Sequence, residues 1–400
     1  MQTKSPRDPP RKRILGESWL TAYRRYIIKQ EAPDIFHFWV GMTLISTALK
    51  RNVFIDRNAY QVYPNQYVFL VAKSGLCKKS SAMEIGLELI RKIEDITVIH
   101  GRATVEGLID IMNKASADPN GVIKPDGSIL LHADELAYLF GKASYITDLI
   151  TFLTAAYTSK ASLDFLTRNK GLAKVRNPCP TILAGTTPEQ MGEIFPSIVL
   201  SSGFFARILL VWGSEVKRVA KPQIDKTMED ALVHDLGCIA QMCGEMKMLP
   251  DTDDYFNKWY DAMTPPDKPE MISFFQRRHD HVLKAAMAIS ASESSEMIIT
   301  MNHLSAAIAA IEYVEERIPE AMKNIGATVA SAIGDHIVNI IKLFDPNPVK
   351  HSVVMRRVYR RLTYGAQEFQ QIIDTLKQAE RIVESADGKG VTYKLSNIKH

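Results

Sequence analysis

The alternation of apolar and polar positions divides the chain into distinct stretches. From Trp19 to Ala48 apolar residues recur at helical spacing, and Pro33-Asp34 stops one helix and starts the next. Short apolar runs follow. Asn52–Ile55 predicts a strand, and Gln66–Val71 (QYVFLV) is a continuous apolar run entering a Gly/Ser/Lys turn, the form of a parallel strand buried on both faces. Ser80–Ile93 returns to helical spacing, and Ile96–Met112 predicts strand, turn and helix again. After a Pro/Gly-rich turn at Asp118–Gly127 come three more apolar strands. These are Ser128–His132, Thr181–Ala184 running into Gly185-Thr186-Thr187-Pro188, and Ile208–Trp212 directly after Arg207. Strands alternating with helices imply an α/β fold, a parallel sheet with helices on its faces.

From about Asp225 to Phe344 the pattern is helical, with His281–Ser290 and Leu304–Ile318 reading as buried helices. Asp345-Pro346-Asn347-Pro348 closes that stretch, because two prolines one residue apart cannot continue a helix. Beyond it, Val349–Leu362 and Ala366–Ala379 predict two amphipathic helices joined by Thr363-Tyr364-Gly365. Arg381–Leu395 alternates as β around the hairpin signal Asp387-Gly388-Lys389-Gly390. Helix, turn, helix, hairpin is the outline of a winged helix. The expected organisation is a basic tail over 1–15, helices over 16–50, an α/β core over 51–224, a helical extension over 225–345 and a winged-helix unit over 349–400.

Composition changes this picture little. Four hundred residues, 46% hydrophobic and 24% charged, exclude a disordered chain, a collagen and a disulfide mini-scaffold. Cys77, Cys179, Cys238 and Cys243 form no C-x-x-C pair and read as reduced thiols. A polar, basic start and the lack of any run of 18 apolar residues set the expectation of a cytoplasmic protein with no membrane partner. Charge is more informative when divided. Residues 1–30 carry eight Lys/Arg against two acidic residues, and 347–400 carry ten against five, whereas 31–346 carry 31 against 38. An acidic body between basic ends calls for an anionic partner.

The strongest chemical signal is Val71-Ala72-Lys73-Ser74-Gly75-Leu76-Cys77-Lys78-Lys79-Ser80-Ser81, between a strand and a helix. A phosphate-binding loop needs inward backbone N–H groups, a lysine for the β/γ-phosphates and a hydroxyl for Mg²⁺ directly after it. Lys79-Ser80 satisfies the last two, so Ser74, Gly75, Leu76, Cys77, Lys78, Lys79, Ser80 and Ser81 are the expected ATP cradle. Ala72 and Cys77 stand where glycines are expected, and the loop is one residue longer if Lys79 is the phosphate lysine. Lys78 restores the spacing but puts Lys79 in the hydroxyl position, which favours Lys79. The competing reading is an ordinary turn with surface lysines.

A second strand delivers Asp134-Glu135, one carboxylate for Mg²⁺ and one to polarise an attacking water. An isolated Asp-Glu is otherwise a helix cap. Thr186 stands at the sheet edge as a sensor of the γ-phosphate or as a turn hydroxyl. Arg207, if exposed at a subunit interface, is placed to stabilise phosphate charge in a neighbour's site, with a structural ion pair as the alternative. Arg168, Arg277 and Arg278 are weaker candidates. In the C-terminal unit, Arg356, Arg357, Arg360 and Arg361 form i,i+4 pairs on one broad helix face, and Lys389 and Lys394 lie on the hairpin. This set suits DNA phosphates, with protein docking as the alternative.

The stretches PNQYVFLVAKSGLCKKSSA, ILLHADELAYLFG, NPCPTILAGTTPEQM and SGFFARILLVWG together resemble the phage and prophage ATPases described as primase/helicase-like. The resemblance runs from about Phe36 to Trp212 and more weakly through Arg277–Ser290 and Ile299–Ile311. It implies a P-loop NTPase core of RecA/AAA type and a ring-forming, hexameric, ATP- and Mg²⁺-dependent DNA motor. It further implies service in the replication of a phage or other mobile element, beside replication proteins in a bacterial cytoplasm. With no primase or zinc-binding module ahead of the core, a stand-alone helicase-like ATPase is the expectation. A nucleotide-switched DNA-binding or helicase-loading factor is the alternative. A packaging motor is disfavoured because no nuclease-like carboxylate cluster follows the core.

Overall fold

The computed structural model describes residues 12–117, 123–140, 143–167, 171–195, 203–215, 217–322, 329–359, 362, 365–387 and 390–396. The chain divides into two compact units, a first to Lys323 and a second from Asn324 that also takes Phe195–Ser197.

The first unit is built on five parallel strands: β1 Tyr67–Val71, β2 Val98–His100, β3 Gly127–Ala133, β4 Pro178–Thr186 and β5 Ile208–Trp212. Their order across the sheet is β5-β1-β4-β3-β2. Every residue of β1 and of β4 is buried, which is why β1 reads as an unbroken apolar run and the middle of β4, Ile182–Ala184, as a short one, with neither alternating. After β1 the chain crosses to the far edge, returns through β3 and β4, and then adds β5 outside β1. All five carboxyl ends therefore lie on one edge, and the winding reverses at β1, where α/β sheets open a crevice.

Helices cover the sheet. α1 is Trp19–Tyr26, α2 Asp34–Leu49 and α3 Lys79–Ile90. α2 is buried from Phe36 to Leu49 except at Phe38, as expected of a helix apolar all round. Gly86 lets α3 seat against it, since a Cβ there would stand 2.4 Å from Val40 Cγ1. Further along are α4 Glu229–Ala240, α5 Arg278–Glu293 and α6 Met301–Ala321, with α5 packed on α2 and α6, and α6 on β5.

Among the described residues, local features differ from the sequence pattern. The strand at Val53–Asp56 stands apart from the parallel sheet, pairing with Gln61–Val62 and Gly244–Glu245. The long helical stretch contains a short parallel pair, Lys247–Met248 with Ile298–Ile299. Ser162–Thr167 and Gly171–Arg176 form an antiparallel hairpin that the apolar pattern did not mark. Among the described residues no helix is long and apolar enough to cross a membrane.

The second unit contains α7 Val329–Lys342, the short strand Val349–Lys350, α8 His351–Val358, α9 Gly365–Gln378 and the hairpin Ile382–Asp387 with Gly390–Leu395. The hairpin's second strand pairs with both others, giving a three-stranded antiparallel sheet. Ile333, Ile337 and Ile341 of α7 share one core with Val354, Val358, Phe369, Ile373 and Tyr393. The boundary expected at Asp345–Pro348 is therefore displaced. Those prolines end a helix, but α7 before them belongs to the same core as the helices after them.

Candidate functional site

The loop after β1 is shaped by contacts at both ends. Ala72, still buried, donates its N–H to the Thr186 carbonyl at 3.4 Å and so ties the loop's start to the end of β4. Lys73, Ser74, Gly75 and Leu76 form an exposed crest, with Gly75 at φ +74 in open space. Cys77 then turns inward. Its Sγ donates toward the carbonyls of Gly213 and Glu215, each at 3.4 Å, just beyond β5. Burial raises the Cys77 pKa, which keeps the thiol protonated as a donor.

Lys78 follows in the left-handed region, φ 45 and ψ 43, and α3 begins at Lys79 with no side-chain cap. This corrects the expectation that Cys77 takes the place of a glycine. Cys77 lies outside the left-handed region and serves as an anchor, and Lys78 adopts the glycine-like backbone. The first N–H groups of α3 are free of side-chain caps at the mouth of the loop, where an anion is favoured.

The two lysines diverge. Lys79 Nζ curls back over the loop to the Ala72 carbonyl at 3.1 Å. Burial lowers its pKa, opposed by the fields of Cys77, Glu135 and Glu189. Lys78 is exposed and faces Glu31, with Nζ 3.9 Å from Oε2. Ser80 and Ser81 are exposed in the first turn of α3.

Asp134 and Glu135, both exposed, follow β3, with β4 lying between that strand and β1. Gly185 permits the close approach of β4 to Asp134, whose carbonyl would stand 2.5 Å from an added Cβ. The sheet thus brings Lys79 within electrostatic reach of Glu135. It also brings in Glu189, which sequence reasoning passed over. Its signal was an acid in the first turn of the helix Pro188–Ile194, directly after β4.

Thr186 is buried, and its hydroxyl donates to the Thr187 carbonyl at 3.3 Å, a bond within the turn. A pair of imidazoles was also missed. His132 and His100 are register partners on β3 and β2, with their Nδ1 atoms 2.8 Å apart. Their Nε2 atoms flank Asp134, His132 at 3.8 Å from Oδ1 and His100 at 4.0 Å from Oδ2. Burial pushes the His132 pKa down to about 4, so the ring is neutral at neutral pH. The signal available was position: residues 132 and 134 point to the same face of an extended chain.

For ATP and Mg²⁺ the donor chemistry fits. Ser80 and Asp134 offer a hydroxyl and a carboxylate, the oxygen donors a hard cation takes, and Lys79 with the uncapped helix start offers cationic and N–H donors.

Other predicted residues lie elsewhere. Arg207 is at the amino end of β5, across the sheet from the loop, and is 9% exposed. Its guanidinium donates to the Gly203 carbonyl and lies 5.8 Å from the Tyr157 ring centroid, and Nε has no partner among the described residues. The expectation of an exposed interface arginine is corrected, because packing against Tyr157 buries the group. Arg277 pairs with Asp280 at 2.9 Å, and Arg278 with Glu312 and Glu315 at 2.8 and 3.0 Å. In the second unit Arg356 and Arg357 are exposed on α8, with the Arg357 guanidinium 5.2 Å from the Phe344 ring centroid, and Lys394 is exposed on the hairpin. Arg168, Arg360, Arg361 and Lys389 lie outside the described residues.

No family model matches the chain, and no curated protein matches it in sequence. Among solved structures the chain is similar to a full-length MCM homologue from Methanopyrus kandleri, at 13% identity and a TM-score of 0.41, over 74% of this chain. The match spans 58% of that protein's length.

Proposed function

We propose that the chain is an ATP-hydrolysing DNA helicase or translocase of the phage and prophage primase/helicase-like group, acting as a ring, hexameric by the resemblance. In this reading it serves replication of a mobile element, beside replication proteins in a host cytoplasm. The observation that carries the ATPase reading is convergence at one sheet edge. Lys79, in an uncapped strand-to-helix loop, and Asp134-Glu135, two strands away, meet closely enough for Glu135 to act on the Lys79 ammonium. The parallel order β5-β1-β4-β3-β2 is compatible with the RecA/AAA-type core that the sequence resemblance implies.

In this reading Lys79 and the first N–H groups of α3 bind the phosphates. Ser80 and Asp134 hold Mg²⁺, which supplies charge neutralisation on the phosphate oxygens when bound. Glu135 orients and polarises the attacking water. Thr186 acts as a sensor only if its hydroxyl leaves the Thr187 carbonyl. The second unit, read as a winged helix, places Arg356, Arg357 and Lys394 for salt-dependent contact with DNA phosphates.

The test is ATP turnover with and without single-stranded DNA, together with strand separation on a forked duplex. DNA-stimulated turnover, abolished in Lys79→Ala and in Glu135→Gln, is expected, and unchanged ATP affinity and turnover in Lys79→Ala would sink the site. One observation favours the second reading, a nucleotide-switched DNA-binding or helicase-loading factor: Arg207, the arginine proposed to serve a neighbouring site, is buried. Nucleotide-dependent DNA binding without unwinding, and a monomer by mass with ATP and DNA present, decide for that alternative.

A further inference from the structure

A cavity lies at the amino edge of the sheet, opposite the phosphate loop. β1 is five residues long, so at about 3.3 Å per residue the two edges stand roughly 16 Å apart. The cavity has a volume of about 590 Å³, within the range of small-ligand sites. Its walls come from the segment before β1, the turn at 158–161 and the start of α5.

The charges on these walls do not balance. Arg51, Lys160, Arg277 and Lys284 line the cavity, and Asp280 is the one carboxylate in its lining. His279 does not add to the positive charge at neutral pH, because burial lowers its pKa. Arg277 engages Asp280 at 2.9 Å, which leaves three cations without a carboxylate in the lining. Arg51 rests its guanidinium on the Ser159 carbonyl and over the Tyr63 ring, 4.2 Å from the centroid. Lys160 is exposed, with no partner among the described residues.

Lys284 is 3% exposed. Two of its hydrogens go to the Tyr63 carbonyl and Asn65 Oδ1, both at 2.7 Å, and its Nζ lies 4.4 Å from the Tyr157 ring centroid. Burial, with Arg277 and Arg207 nearby, pushes its pKa down to about 8. Clustered cations that depress one another are relieved by a bound anion. The wall also carries an aromatic platform. Arg51 and Lys284 occupy the rings of Tyr63 and Tyr157, whereas the Tyr60 ring is half exposed.

We propose that this cavity is a second ligand site, separate from the phosphate loop, that takes a free nucleoside phosphate. The base stacks on Tyr60, and the phosphates sit between Arg51 and Lys160, beside the guanidinium N–H groups of Arg277 that are not spent on Asp280. A multiply charged phosphate matches the charge excess, and an aromatic base uses the free ring. The site goes beyond the ATPase reading and does not depend on it.

The experiment is equilibrium binding of radiolabelled ATP to the full chain, comparing wild type, Lys79→Ala, Tyr60→Ala and the double variant Lys160→Gln/Arg277→Gln. Melting temperatures of all four report folding. Two classes of site are expected. Tyr60→Ala and the double variant each weaken one class at least tenfold and leave unchanged the class that Lys79→Ala affects. Should the phosphate-loop assignment be wrong, Lys79→Ala has no effect while the cavity class still responds to Tyr60→Ala. A single class of site, insensitive to both cavity variants in folded protein, overturns the proposal. Displacement of ATP from the cavity class by inorganic pyrophosphate as readily as by unlabelled ATP also overturns it, because the base would then contribute nothing.

Discussion

The two neighbouring lysines of the loop carry opposite expectations. Lys79 points back across the crest to Ala72 within the fields of Glu135 and Glu189, whereas Lys78 points out toward Glu31 from a left-handed backbone. A charge-assisted hydrogen bond contributes about 1.5–3 kcal/mol, so Lys79→Ala is expected to weaken ATP binding on the order of 10- to 150-fold. Lys78→Gly removes an exposed ion pair worth less than about 1 kcal/mol. It also relieves a left-handed conformation that costs about 1–2 kcal/mol, offset by roughly 0.5–1 kcal/mol of added backbone entropy in the unfolded chain. On these terms net stability should fall between about 1 kcal/mol below and about 1.5 kcal/mol above wild type, with ATP affinity within about twofold of wild type. Urea denaturation of both variants and ATP binding by calorimetry measure these effects. The reverse pattern, with Lys78→Gly abolishing binding and Lys79→Ala tolerated, would refute the assignment and make Lys78 the phosphate lysine.

Acid should destabilise the first unit early. His37, His132 and His281 are buried, and burial pushes each from 6.5 to about 4. Below 6.5 the unfolded chain binds protons that the folded chain refuses until about pH 4, so stability is full above that window and falls through it. The loss is about 2 kcal/mol per ring at pH 5, and a urea midpoint constant from pH 7.5 to 5 would contradict this. Gly185→Ala presses a methyl against the Asp134 carbonyl, and a destabilisation of about 1–3 kcal/mol with reduced ATP turnover is expected; an unchanged midpoint in denaturant counts against the close approach. Arg356→Gln with Arg357→Gln should weaken DNA binding equally across sequences and flatten its salt dependence by about 1 per arginine in log–log slope. An unaltered slope would show that α8 does not touch phosphate.

Much of the first unit's secondary structure was legible in local spacing, because buried parallel strands and amphipathic helices announce themselves within five to fifteen residues. Val53–Asp56 shows the limit. Its residues read as a strand, yet nothing local says that its partners are Gln61–Val62 and Gly244–Glu245. The same limit moved the boundary of the second unit. Prolines mark where a helix stops, but only the shared core places α7 with α8 and α9.

At the candidate site, the loop, its lysines and the Asp-Glu pair stood out because strand, turn and helix bring these groups together in one segment each. The chain by itself determined that a buried strand enters a lysine-bearing loop and that a second strand ends in two carboxylates. Tertiary structure decided the rest. Strand order set β4 between them and brought Glu189 to Lys79, and pairing of β2 with β3 joined two histidines 32 positions apart in sequence. The Cys77 anchor beyond β5 is a contact across the fold at the residue before left-handed Lys78, and packing on Tyr157 buried Arg207. Burial and charge balance depend on what surrounds a group in space. Local spacing carries hydrophobic periodicity but not the identity of those neighbours.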